Sequence, residues 1–444
     1  MSRTVAFATL GCRLNQVDTQ EMQARLEARG FRTVAFDQPA DLVVVNSCTV
    51  TGRAEFSDRQ MIRRAARLNP SARIVVTGCW AQTDPAAVAA TGADAVVGNA
   101  DKARIADVVE SLLADSGAAA RPSGRGVARV HVSDVSRVTD VPSAPAGSRL
   151  GRSRAFVKIQ EGCQHRCAFC IVPRARGRSR SQRPEVVIDQ VRQLVAAGHP
   201  EVVLTGVDMG HWGADLTPRT TLAVLLRALV GVPGLRWLRL SSLLPAYFTP
   251  QLLEVIESSP VIAPHLHVPL QSGSDRVLRL MRRPYTVRMY RALVERLAAR
   301  IPSLGLGTDV IAGFPGETDE DFAATRGLVE DLPFSYLHVF AYSERKGTEA
   351  ATMTGRLPAR TVTIRAAALR EISQKKSLAF REALVDTVRD VLVLETRDRL
   401  TGRLVGLTAN YVEVVFEGAD TLMRGMTQLR VTGADLLTTE GALA

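Results

Sequence analysis

Three of the chain's six cysteines fall within eight positions, in the stretch EGCQHRCAFCIVPRARGRSRS. Cys163, Cys167 and Cys170 follow directly on the β-branched run RAFVKI. The pattern predicts a strand that ends there, and the loop after it lets three thiolates point at one centre. Iron–sulfur clusters take cysteine thiolates, and a complete [4Fe–4S] site takes four. Three ligands leave one iron open to an exchangeable ligand, which separates a reactive cluster from an electron carrier. A Cys3His zinc site using His165, and plain buried cysteines, are the competing readings.

The other three cysteines are scattered, yet each directly follows a strand pattern: VAFATLG before Cys12, LVVVNS before Cys48 and IVVTG before Cys79. In a parallel sheet all strand C-termini share one edge, and loops from that edge converge on one crevice. Position relative to the strands thus predicts a second three-thiolate site. Cysteine as a small buried residue is the alternative, weakened by three equivalent placements.

Strand and helix patterns alternate over the first ~110 residues. That order predicts a parallel, doubly wound sheet with helices on both faces. We place this N-terminal domain at 1–113. A small, polar, Pro/Gly-rich stretch at 114–153 reads as a linker, with a short strand at ARVHV inside it. Alternation resumes over 154–378 with six strand candidates: RAFVKI, EVVLTG, WLRLSS, HLHVPL, GLGTDVIAG and FSYLHVFAY. They predict a partial or complete parallel (β/α) barrel with functional residues at the strands' C-terminal ends. Residues 379–444 carry four short strand patterns broken by turns, which predicts a small β-barrel.

The net charge is +11, and only five of the 56 basic residues are lysines. An excess of that size suits a polyanionic partner. A GC-rich coding bias accounts for the arginine-to-lysine ratio but not for the net excess. The opening MSRTVAFATLGC holds no signal-peptide or membrane-span pattern, so a cytoplasmic location with reduced thiols is expected.

The C-x3-C-x2-C spacing after the first barrel strand resembles the radical SAM superfamily, whose open iron binds S-adenosylmethionine (SAM). Together with TLGCRLNQVDTQ, VVNSCTVTGRAE, VVTGCWAQ and HVPLQSGSDRVLRLMRRPYT, it resembles the methylthiotransferases over nearly the whole chain. Within them the likeness is to the bacterial branch that methylthiolates N6-threonylcarbamoyladenosine beside the tRNA anticodon. The resemblance implies two [4Fe–4S] clusters, one on Cys12, Cys48 and Cys79, the other on Cys163, Cys167 and Cys170. It implies a C-terminal TRAM-like barrel, and SAM contacts at Thr205, Gly206, Ser241, Gln271, Asp309 and Ile311. One SAM would donate a methyl group to sulfur and a second would yield the radical that activates adenine C2. An external electron donor and a sulfur source would also be needed.

Arg174, Arg176, Arg178 and Arg180 would then rim the active site and contact phosphates of the anticodon stem-loop. Intrachain pairing with carboxylates is the other reading. Trp80 fits either a stacking platform for a flipped base or a water shield. His265 and His267 alternate on one strand face, and read as polar lining beside the cofactor rather than as metal ligands. Rival substrates are isopentenyladenosine in tRNA and an aspartate of a ribosomal protein. A non-enzymatic RNA-binding Fe–S redox sensor is the rival outside this chemistry.

Overall fold

The computed structural model describes residues 3–114, 127–141 and 153–444. The chain forms two compact units that interleave in sequence. The first takes Met1–Arg149, Gln160–Ser181 and Glu344–Thr348; the second takes Leu150–Ile159, Gln182–Ser343 and Glu349–Ala444. This differs from a linear succession of domains: the cysteine loop expected in the barrel segment 154–378 is counted with the N-terminal unit.

In the first unit, six parallel strands are arranged in the order β2-β1-β3-β4-β5-β6. They are β1 (Thr4–Thr9), β2 (Arg32–Val34), β3 (Leu42–Ser47), β4 (Arg73–Gly78), β5 (Ala95–Val97) and β6 (Arg129–His131). β3 is a continuous apolar run buried along its length, as a central strand covered on both faces requires. Alternate residues feed two cores. Val44 and Val75 meet α1 (Arg13–Glu27) and the helix Ile105–Ala114 through Met22, Leu26 and Val109. Val43, Val45 and Val76 meet α2 (Gly52–Leu68) and α3 (Cys79–Thr83) through Ile62, Ala65 and Trp80. Each such fully buried Val or Leu contributes about 1.5–3 kcal/mol. The short strand expected at ARVHV is β6, and it completes this sheet beside β5 instead of lying apart from it. The remainder of the expected linker falls mostly outside the described residues.

The second unit carries the parallel strands of an open barrel: β7 (Arg154–Glu161), β9 (Glu201–Gly206), β10 (Trp237–Leu240), β11 (His265–His267), β12 (Gly305–Ala312) and β13 (Tyr336–Ala341). A bridge between Leu238 and Ile262 joins its two halves. All six expected strands are present. β7 runs on into the first unit, where Gln160 and Glu161 pair antiparallel with β8 (Arg180–Ser181).

A closed five-stranded barrel follows the helix Ala359–Glu382. Its strands are β14 (Val388–Val393), β15 (Leu404–Thr408), β16 (Glu413–Phe416), β17 (Met426–Ala434) and β18 (Thr439–Leu443), around Val391, Val414, Phe416, Leu429 and Val431. Four strands were legible; β18, reading TEGAL, has weak β-propensity and closes the barrel by pairing with β17 and β16.

The turn after β15 stoppers the N-terminal ends of the open barrel. Tyr411 stacks on His265 at 4.3 Å, and Arg239 lies 5.1 Å over its ring. Arg239 also binds Glu201 through two bonds of 2.8 and 3.1 Å and donates to the Ala409 carbonyl at 2.8 Å. No helix among the described residues is long and apolar enough to cross a membrane.

Candidate active site

β1, β3 and β4 are neighbours in the sheet, so the loops that leave them lie side by side. Cys12 caps the start of α1, Cys48 directly follows β3, and Cys79 opens α3 directly after β4. Gly11 sits at φ +92°, and a Cβ there would lie 2.7 Å from the Cys48 sulfur. Glycine therefore lets the Cys12 loop close onto Cys48. Burial pushes the Cys48 thiol up to about 12, and Cys79 and Cys12 add to the rise. Cys12 and Cys79 thus stand close enough to bear on the Cys48 thiol, and a cation held among the three sulfurs would favour its thiolate. The Asn99 amide nitrogen lies 3.7 Å from the Cys79 sulfur, placed to donate to it. Behind Cys48, Asp58 accepts the Cys48 backbone N–H at 2.9 Å, and burial pushes this carboxyl up to about 7.

The second triad lies on the loop between β7 and β8. Gly162 at φ +73° begins it, and a Cβ there would overlap the Arg178 carbonyl. The Cys170 N–H donates to the Cys167 carbonyl at 3.0 Å, and the His165 N–H lies 3.4 Å from the Cys163 sulfur. All three thiols are partly exposed. Donors to a single zinc ion would stand about 3.4–3.8 Å apart. Among the described residues, the trio whose ligand atoms all fall within 4.8 Å is His267, Asp309 and His338, not a cysteine set.

The arginine run divides sharply. Arg174 and Arg178 are exposed. Arg176 is 1% exposed and binds Glu161 at 2.6 Å, Asn15 at 2.6 Å and Asp18 at 3.0 Å. Arg180 is 6% exposed and donates to the carbonyls of Asp140, Arg176 and Arg178. The expectation of RNA contact is thus corrected for Arg176 and Arg180, whose charges are spent inside the unit. Trp80 is 1% exposed in the core, with the Arg59 guanidinium 4.6 Å over its ring. That burial removes the base-stacking reading and leaves the shielding one.

In the second unit, the residues expected at SAM gather at strand C-terminal ends. Thr205 and Gly206 end β9, Ser241 follows β10, and Asp309 and Ile311 lie on β12. Gln271 takes φ +69° after β11, where its N–H donates to the Asp309 carbonyl and its carbonyl accepts from the Ile311 N–H. The Ser241 hydroxyl is buried with no protein partner, which suits a polar ligand. Asp309 stands 3.2 Å from both His267 Nε2 and His338 Nδ1. Burial would raise its pKa, but those two histidines outweigh burial and hold it well below the usual carboxylate range. His265 turns away to stack on Tyr411 and bonds the Tyr336 hydroxyl at 2.8 Å, so the two histidines do not act as a pair.

Sequence reasoning missed His338 and Glu317. Period-two alternation along β13 was the available signal for His338. Glu317 is buried, accepts the Gly313 N–H at 2.9 Å and pairs with Arg365.

The Radical SAM superfamily model matches residues 157–329, and the model described as Uncharacterized protein family UPF0004 matches residues 4–98. Threonylcarbamoyladenosine tRNA methylthiotransferase MtaB of Bacillus subtilis is 37% identical over 441 residues, covering 99% of this chain and 96% of that protein. The tRNA-2-methylthio-N(6)-dimethylallyladenosine synthase of Mycobacterium bovis is 35% identical, covering 99% and 85%. Among solved structures, the radical SAM methyltransferase TsrM of Kitasatospora setae aligns with a TM-score of 0.57 at 19% identity, covering 79% of this chain and 77% of that one, a likeness of fold.

Proposed function

The chain belongs to the radical SAM methylthiotransferases, and on that premise we propose that it transfers a methylthio group to C2 of N6-threonylcarbamoyladenosine beside the anticodon of tRNA. Membership of the superfamily implies SAM and a [4Fe–4S] cluster. The observation that carries the fuller reading is the presence of two cysteine triads within one compact unit.

Cys163, Cys167 and Cys170 would hold the cluster that binds SAM, and Cys12, Cys48 and Cys79 a second one. Two features fit thiolate ligands: backbone and amide N–H groups close to sulfur at Cys163 and Cys79, and thiols that bear on one another at Cys48. When bound, SAM and the two clusters supply the methyl transfer and the radical activation of the adenine C–H bond. The chain's own residues bind and shield. Thr205, Gly206, Ser241 and Gln271 offer polar and backbone groups to SAM, and Ile311 offers an apolar face to its adenine. Asp309, held anionic by two imidazoles, accepts a hydrogen bond without changing protonation near neutral pH. Buried Trp80 keeps water from the sheet side of the first triad.

Exposed Arg174 and Arg178 are left to meet phosphates of the anticodon stem-loop, and the terminal barrel adds backbone contacts. The reaction draws on an external electron donor and a sulfur source. The phrases around Cys12, Cys48 and Cys79 support the threonylcarbamoyl substrate over the isopentenyl one.

Mass spectrometry of tRNA nucleosides from cells with and without the gene tests this. Loss of the methylthio-threonylcarbamoyl nucleoside, with build-up of its precursor, is expected. Loss of the methylthio-isopentenyl nucleoside instead would move the substrate to the rival, and neither loss would point to protein.

A further inference from the structure

We propose that Arg176 is a positioning residue that ties the two cysteine triads together and, with Asn99, raises the reduction potential of the cluster on Cys12, Cys48 and Cys79. The inference rests on the two-cluster reading above.

Arg176 ends the short helix Val172–Arg176, which continues the loop bearing Cys163, Cys167 and Cys170. Its guanidinium reaches Asn15 Oδ1 at 2.6 Å. The amide of Asn15 in turn donates to the Leu10 carbonyl at 2.7 Å and the Ser47 carbonyl at 2.9 Å. Those carbonyls lie immediately ahead of the Cys12 and Cys48 turns, so a hold on Asn15 is a hold on both loops. The third loop is held from the preceding residue. Asn99 Nδ2 donates to the Ala175 carbonyl at 2.7 Å while lying 3.7 Å from the Cys79 sulfur. One turn of helix thus engages all three loops of the other triad.

The charges give Arg176 a second role. Asp18 is shared between Arg176 at 3.0 Å and Lys102 at 2.7 Å, and Glu161 binds Arg176 at 2.6 Å. Arg180 also stands 4.0 Å from Glu161, so three cations face two carboxylates and net positive charge is left beside the cysteine sulfurs. Burial alone would lower the pKa of Arg176; among the charges that raise it, Cys79 acts most strongly, ahead of Asp18, Glu161 and Cys12. A fixed cation, and an N–H aimed at a ligand sulfur, both favour the more negatively charged reduced cluster. Both also hold the separation of the two sites, which a transfer between them requires to be constant.

The test uses the full chain carrying Cys163→Ala, Cys167→Ala and Cys170→Ala, so that reconstituted iron reports the N-terminal triad alone. The potential is read by redox titration with electron paramagnetic resonance. Arg176→Gln and Asn99→Asp should each disfavour reduction at least tenfold, about 59 mV for one electron. Arg176→Lys should restore most of the shift. Should Arg176→Gln lose its iron, Asn99→Ala decides, because it removes only the amide and should lower the potential in the same direction. An unmoved potential in iron-replete variants overturns the proposal alone, as does a lysine variant that behaves like glutamine. A background that holds no iron overturns the two-cluster reading and this proposal with it.

Discussion

The Cys163 triad occupies one short, half-exposed loop, whereas the Cys12 triad is assembled from three neighbouring strand ends with two of its thiols buried. A loop set of ligands can adjust as an exchangeable ligand comes and goes, and its geometry is local. A sheet-edge set is fixed by the register of β1, β3 and β4, whose core residues are fully buried. On the proposed function the contrast would divide two chemical tasks: the adaptable site would suit turnover of SAM, and the rigid one holding sulfur at a set place.

The strongest test of that division replaces each triad by alanine. Loss of Cys12, Cys48 and Cys79 should remove about half the iron and abolish methylthiolation, while reductive SAM cleavage persists. Loss of Cys163, Cys167 and Cys170 should remove the other half and abolish SAM cleavage. Equal loss of SAM cleavage in both variants would erase the distinction.

The glycines that start the two sites sharpen the comparison. Gly162→Ala would meet the Arg178 backbone carbonyl, which cannot move aside, while Gly11→Ala would meet the Cys48 sulfur, the end of a side chain. Both positions have positive φ, so each substitution should cost about 1–3 kcal/mol in backbone strain alone. Gly162→Ala should show the larger drop in Tm, and Gly11→Ala the more selective loss of iron from the N-terminal site.

Arginines of one short run should part company in the same way. Arg180→Gln should lower stability, because it leaves Glu161 and three carbonyls short of a buried partner, and should leave the salt dependence of tRNA binding unchanged. Arg178→Gln should leave stability within about 0.5 kcal/mol of the parent while the slope of log affinity against log salt falls by about one contact. Thermal melts and filter binding at several salt concentrations decide it.

The least effect on the cysteine sites is expected in the unit that holds neither triad. Tyr411→Ala should weaken the stopper under the open barrel by about 1–2 kcal/mol through lost ring contacts with His265, Arg154 and Arg239, with iron content unaltered. Chemical denaturation with parallel iron analysis reads both quantities.

Much of this organisation is legible in the amino-acid order. β-Branched runs separated by helical periods announced both parallel systems, and the cysteines after three such runs do leave neighbouring strands of one sheet. Burial within a charge run was not legible. Arg174 and Arg176 are two residues apart and chemically identical, yet one is exposed and one buried. What decides between them is Asp18, 158 positions away, and Asn15, 161 positions away, which no local window contains. Alternation along β13 could have singled out His338 but not its partner, since Asp309 faces it across a strand pairing rather than along one strand.

The interleaving of the two units has a consequence for how the protein is made. The N-terminal unit draws on residues up to Arg149, then on Gln160–Ser181, and lastly on Glu344–Thr348, where Arg345 binds Glu55 at 2.6 Å and the Thr49 carbonyl beside Cys48. At ordinary synthesis speeds roughly 10–40 s separate the emergence of Arg149 from that of Thr348. From the emergence of Cys170 onward the nascent chain carries all six thiols with the last strap of their unit still unmade. Iron loading during translation would therefore meet an unfinished site, and the finished one becomes available only when about four-fifths of the chain has left the ribosome.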